Sequence, residues 1–179
     1  MTVPVSNTSP LTNLAAIGQF DLLRQRYGGL LVAEAVWAEL NADGRTWPGR
    51  EEVAAADWIA RRAVMNRPLV MALRERLDPG EAETIALAVE CPPPFVLMDE
   101  KEGRRAAQRL GLKTVGVVGV LIEAKAHGLI AGVGPLLERL RQEAGFYLSE
   151  RVTVTRTVAR SGWIRDDPRT GGRSTCGSA

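Results

Sequence analysis

Histidine and cysteine are almost missing from this chain, which has one histidine and two cysteines in 179 residues. Cys91 and Cys176 are far apart and neither has a cysteine neighbour, so the ligand spacing of a zinc site is excluded. A disulfide between them is allowed by parity alone. Cys176 sits in a polar tail, however, and a reduced cytosolic setting is the expectation. Aromatic residues make up only 5%, which leaves no run of base-stacking rings. No stretch reaches the ~18 apolar residues that suggest a membrane span. The opening MTVPVSNTSP lacks the basic region and apolar run of a signal peptide. No GxxxxGK(S/T) pattern supports an ATP-binding loop, and Gly116 and Gly119 read as turn and packing positions. The expectation is a soluble, cytoplasmic protein away from membranes.

What is present suffices for one core. The composition is 45% hydrophobic and 25% charged, as one globular domain requires. A net charge of +2 is compatible with a polyanionic partner and decides little alone. Short apolar runs alternate with longer helical patterns. Val3 to Val5, Leu30 to Val32, Phe95 to Met98 and Lys113 to Val115 read as strands. Helices are expected from Ser9 onward with a break near Gly18, before Leu40, over Glu51 to Arg62, after Asp78, over Glu102 to Leu110, over Val117 to His127 and over Pro135 to Ala144. Asn41 to Arg50 reads as a loop, and a short segment runs from Leu69 to Leu77. The alternation predicts an α/β fold with a mainly parallel sheet flanked by helices. Residues after Ser149 carry mixed signals, and 161–179 is glycine-rich and polar, the pattern of a mobile tail.

A chain this poor in nitrogen and sulfur ligands can hold a hard divalent ion only through oxygen. Four places offer it. Asn7 and Asp99 follow strands, where ligands collect in open parallel sheets, while Glu39 and Glu81 lie on helices. Asp99 follows the apolar run Phe95 to Met98 and reads either as a ligand or as a helix cap beside Glu100 and Glu102. Glu39 falls beside the stripe of Val32, Val36 and Leu40, where a carboxylate needs a cation or donors to offset its desolvation; its other reading is a helix end in solvent. Glu81 is both a candidate ligand and the return partner of a capping box with Asp78, with Pro79 in the first turn. Glu83 points elsewhere on the helix. Asn7 supplies a neutral carbonyl oxygen and no charge.

Thr8 and Ser9 read as water-orienting or helix-capping hydroxyls, with capping the readier role for Ser9 ahead of Pro10. Arg61, Arg62, Arg67, Arg74 and Arg76 cluster around Pro68, and Lys101, Arg104, Arg105 and Arg109 follow Asp99. Either group could position phosphates or form a solvated face. Trp47 and Trp58 are the aromatics closest to a substrate reading, Trp58 with a core reading beside it. His127, next to Gly128, reads as a helix-end residue. Convergence of the acids would support Mg²⁺- or Mn²⁺-assisted phosphodiester hydrolysis.

The stretches VSNTSPLTNLAAIGQFDLLRQRYG, VAEAVWAEL, LDPGEAETIALA, FVLMDEKEGRRAAQRLGLKTVGVVGVLIEAKAHGLI and PLLERLRQEAGFYLS, in that order, resemble PIN-domain proteins of the DUF3368 type. The resemblance implies a three-layer α/β/α sandwich over residues 1–160. It also implies a Mg²⁺- or Mn²⁺-dependent ribonuclease, often a toxin paired with an antitoxin protein and often a homodimer. The family acids fall on Asn7, Glu39, Glu81 (with Glu83 as its alternative) and Asp99, and the hydroxyl-bearing turn on Thr8 and Ser9. Lys101 and Arg104 would position RNA. Asn7 stands where an aspartate is usual. The alternative is therefore a catalytically weak PIN-like module that binds RNA or a protein.

Overall fold

The computed structural model describes residues 3–42, 46–47 and 49–145. The expected tail at 161–179 and the mixed stretch after Ser149 lie outside the described residues. Five short strands, β1 (Val5–Ser6), β2 (Leu30–Ala33), β3 (Ile59–Arg62), β4 (Val96–Leu97) and β5 (Thr114–Val115), pair entirely in parallel in the order β3-β2-β1-β4-β5. Val5 lies opposite Leu31 on one side and Val96 on the other. β1, β2 and β4 are buried along their whole length. This explains why β2 and β4 are unbroken apolar runs and not alternating ones.

Nine helices are described: α1 (Thr8–Ala16), α2 (Asp21–Tyr27), α3 (Glu34–Leu40), α4 (Arg50–Ala54), α5 (Arg67–Leu73), α6 (Pro79–Glu90), α7 (Lys101–Arg109), α8 (Val117–Ala126) and α9 (Val133–Glu143). α6 packs over β1, β2 and β4 and against α3, α5 and α7. α1 packs with α8 and α9, while α2 meets α8 and β2. The sheet thus lies between two helical layers, an α/β/α sandwich. The chain winds outward from β1 to β3 and then returns to lay β4 on the other side of β1. That reversal opens a crevice beyond the carboxyl ends of β1 and β4.

Two local expectations are corrected. The helix expected over Glu51 to Arg62 stops at Ala54, and Ile59–Arg62 is strand β3. Val53, Ala56 and Ile59 have helical spacing, but Ile59 to Arg62 pair in register with Leu30 to Ala33. Those non-local backbone bonds override the local preference of Ala60 and its arginine neighbours. The first helix also starts earlier than Ser9. Asn7 is its N-cap position and makes no side-chain capping bond, α1 begins at Thr8, and Ser9, expected as the cap, lies within the helix with its Oγ unpartnered among the described residues. Pro10 fits all the same, because the first turn holds amides with no intrahelical acceptor. Gly49, at φ +84°, sets the α4 backbone against α1; a Cβ there would collide with that of Ala15.

Candidate functional site

The crevice holds a cavity of about 600 Å³ lined by Asn7, Thr8, Ser9, Glu39, Asp78 and Glu100 among others. Each side chain arrives for a local reason. Asn7 closes β1, and its amide hydrogen bonds the Leu97 carbonyl at 2.9 Å, which ties the ends of β1 and β4 together. Glu100 occupies the N-cap position of α7, and Asp78 that of α6. Glu39 lies on the last turn of α3.

These groups meet around Gly80, the second residue of α6. The position that a Cβ on Gly80 would take is 3.0 Å from Glu39 Oε2 and 3.4 Å from both Asn7 Oδ1 and Asp78 Oδ1. Thr8 donates its hydroxyl to Glu39 Oε2 at 2.7 Å. Asn7 Nδ2 donates to Glu100 Oε2 at 3.3 Å. Asn7 is 3% exposed, yet its Oδ1 has no hydrogen-bond partner among the described residues, nor does the buried Ser9 Oγ. A buried acceptor without a donor is costly. The floor of the cavity therefore presents unmet hydrogen-bonding capacity.

Glu81 sits behind this floor. It completes the capping box, accepting the Asp78 amide hydrogen at 3.2 Å while Asp78 Oδ1 accepts that of Glu81 at 2.7 Å. Its other oxygen lies 2.6 Å from where a Cβ on Gly103 would stand, so only glycine lets α7 approach α6 here. Burial first, then the Asp78 charge, with smaller contributions from Glu100 and Glu39, pushes the Glu81 carboxyl up to about 7. The mutual repulsion of these acids is a physical sign that they share one region.

The other two acids are employed elsewhere. Asp99 Oδ1 accepts the Val117 amide hydrogen at 2.8 Å, at the first residue of α8, and Oδ2 accepts from Asn13 Nδ2 at 3.3 Å. Burial raises its pKa to about 6; the Val117 amide opposes the rise and Glu100 adds to it. Asp99 does cap a helix, but it is α8 and not the adjacent α7. Glu83 accepts the Ala35 amide hydrogen at 3.0 Å at the start of α3 and pairs with Arg67 at 2.9 Å. Lys101 is exposed at the start of α7, and Arg104 is half-buried. Arg104 has Nη1 3.2 Å from the Cβ position of Gly116, beside Asp99.

The structure thus brings Asn7, Thr8, Ser9 and Glu39 to one cavity, sets Glu81 beneath it, and holds Asp99 and Glu83 in other bonds. Sequence reasoning missed Glu100 and Asp78 as cavity residues. The available signal was position: both stand immediately before a helix, at its N-cap. Among the described residues no group of three or more His, Cys, Asp or Glu side chains could hold a metal ion. The donor set as placed, with carboxylate oxygens bonded to Thr8, Asn7 and backbone amides, does not fit the expected Mg²⁺ or Mn²⁺ centre.

The DUF3368 family model, described as a PIN domain, matches residues 3–160. No curated protein matches the chain. Among the described residues no helix is long and apolar enough to cross a membrane.

Proposed function

From the premise that this chain belongs to the PIN-domain family, we propose that it acts as a catalytically weak RNA-binding module of that fold. The observation that carries this reading is the employment of its acids. Asp99 and Glu83 each accept a helix-start amide hydrogen, and Glu81 is committed to its capping box. A carboxylate oxygen held by backbone donors is a poorer ligand for a hard cation. Asn7 adds a carbonyl where a charge is usual, so the negative charge needed to draw in a divalent ion is reduced again. RNA suits the remaining features. Lys101 lies exposed on α7, which starts one residue past Glu100 at the cavity, and a cation near such a site can position a phosphate, with Arg104 on the same helix. The cavity itself carries amide, hydroxyl and carboxylate acceptors suited to base edges.

The test is a pair of measurements on the intact chain with a mixed single-stranded RNA pool. In chelator, binding is expected at low salt and weakens as salt rises, because phosphate contacts release counterions. On addition of Mn²⁺, cleavage is expected to be absent or slow. No binding at low salt overturns the reading.

One observation favours a second reading, the Mg²⁺- or Mn²⁺-dependent ribonuclease, with an antitoxin as protein partner if it is a toxin. Burial first, and then the neighbouring charges of Asp78, Glu100 and Glu39, drive Glu81 up to about 7, and a bound cation would offset that charge repulsion. Rapid Mn²⁺-dependent cleavage that is lost in Glu100→Gln would move this reading ahead of the first.

A further inference from the structure

The cavity at the strand ends does not stand alone. A second concavity of about 530 Å³, lined by Asn41, Gly49 and Arg50 among others, shares Thr46 and Trp47 with it. Trp47 therefore lines both spaces. It is packed against the core, and its indole Nε1 donates to the Leu40 carbonyl at 3.3 Å, one residue past Glu39. The ring is thus anchored beside the acceptor floor. The other described tryptophans have partners of a different kind. Trp58 packs on Phe20 with ring centroids 5.1 Å apart, and Trp37 carries the Arg61 guanidinium at 5.9 Å.

The lining beside Trp47 is weighted towards acceptors, with the Thr8 and Ser9 hydroxyls set among them. The carboxylate oxygens of Glu39, Asp78 and Glu100 accept, and the unpartnered Asn7 Oδ1 is also an acceptor. Such a wall repels a phosphate and favours a neutral group rich in N–H donors. The four RNA bases differ in this respect. Uracil offers a single ring N–H between two acceptors. Adenine and cytosine each offer one amino group next to a ring acceptor, which would face a carboxylate unfavourably. Guanine alone presents adjacent donors, N1–H and the N2 amino group, spaced to meet both oxygens of one carboxylate. An aromatic platform beside a base-edge reader is the usual means of holding an unpaired base.

We infer that this cleft selects an unpaired guanine, stacked on Trp47 with its N1–H and N2 amino edge turned to the carboxylate-bearing floor. The inference rests on the RNA-binding reading and sharpens it. Repulsion from the carboxylates would keep the phosphate backbone of the bound nucleotide outside the floor.

The experiment uses the full chain in chelator at low salt and short single-stranded oligoribonucleotides. Each is a uridine tract with guanosine, inosine, adenosine or uridine at the centre, followed by fluorescence anisotropy. The guanosine oligomer is expected to bind about tenfold more tightly than the all-uridine one, the usual scale for a good bidentate base contact. Inosine, which lacks only the N2 amino group, loses most of that gain. Trp47→Ala removes the preference and Trp47→Phe keeps part of it, the second variant serving where the first fails to fold. Equal affinity for the four oligomers overturns the guanine inference and leaves RNA binding standing. An unchanged guanosine preference in both Trp47 variants also overturns it. Absence of binding to any oligomer overturns RNA binding itself.

Discussion

Asp99 and Glu100 are neighbours in the chain, follow the same strand, and have opposite surroundings. Asp99 turns inward, where the first amide of α8 and the Asn13 amide hold both of its oxygens. Glu100 turns to the cavity, where Asn7 reaches it with a single 3.3 Å bond. The first is a structural fastener that joins β4, α1 and α8. The second belongs to a set of acceptors with capacity left over. Two carboxylates in sequence therefore have different places, one bonded into the fold and one facing the cavity. Position relative to the next helix decides which is which.

The largest expected effect tests the inward member. Asp99→Ala leaves the Val117 amide and the Asn13 side chain without their acceptor in a part-buried place, and should cost about 3 kcal/mol. Urea unfolding followed by circular dichroism measures it; a loss below about 1 kcal/mol would mean that the two bonds are not important to the fold.

The next effect tests the acids together, through pH. Glu81 and Asp99 are raised to about 7 and about 6 from ordinary values of 4.5 and 3.8. The folded state then binds protons more tightly than the unfolded one. Their contribution to stability is fully present below about pH 4 and is lost as pH rises to about 7, a change on the order of 2 kcal/mol for Glu81 alone. Glu81→Gln should flatten its part of this slope, since glutamine also serves the capping box. Thermal unfolding at pH 5 and pH 7.5 for both proteins checks it, and parallel curves for the two would remove Glu81 as the source.

The smallest stability effect belongs to the outward member. Glu100→Gln is expected to change unfolding free energy by less than about 0.5 kcal/mol, as substitutions away from packed or fully bonded sites do. In the same protein, RNA affinity should change severalfold. A large stability loss with unchanged RNA affinity would erase the distinction between the two neighbours.

Much of the fold was legible because its signals are local. The capping box of Asp78 and Glu81, with Pro79 in its first turn, and the apolar runs of β2 and β4 could be read residue by residue. So could the end of α8 at His127, next to Gly128 with its φ of +72°. β3 was not legible, since Ile59 to Arg62 has no strand composition and becomes a strand only because β2 offers it an edge. The site was legible in part. Asn7 and Glu39 could be placed from their elements. Whether a side chain following β4 turns towards Val117 or towards Asn7 depends on where α8 and α1 dock, which no spacing within Asp99-Glu100-Lys101 records.

By itself, then, the chain determined an all-oxygen, nearly histidine-free chemistry, the alternation of strand and helix, and the residues standing at strand and helix ends. Those are properties of composition and of periodicity over a few residues. Tertiary structure alone decided which acids keep free oxygens, because that depends on amides brought in from distant segments. It also decided that Trp47 borders the same cavity as Glu39, Asp78 and Glu100, since packing sets which side chains share a space.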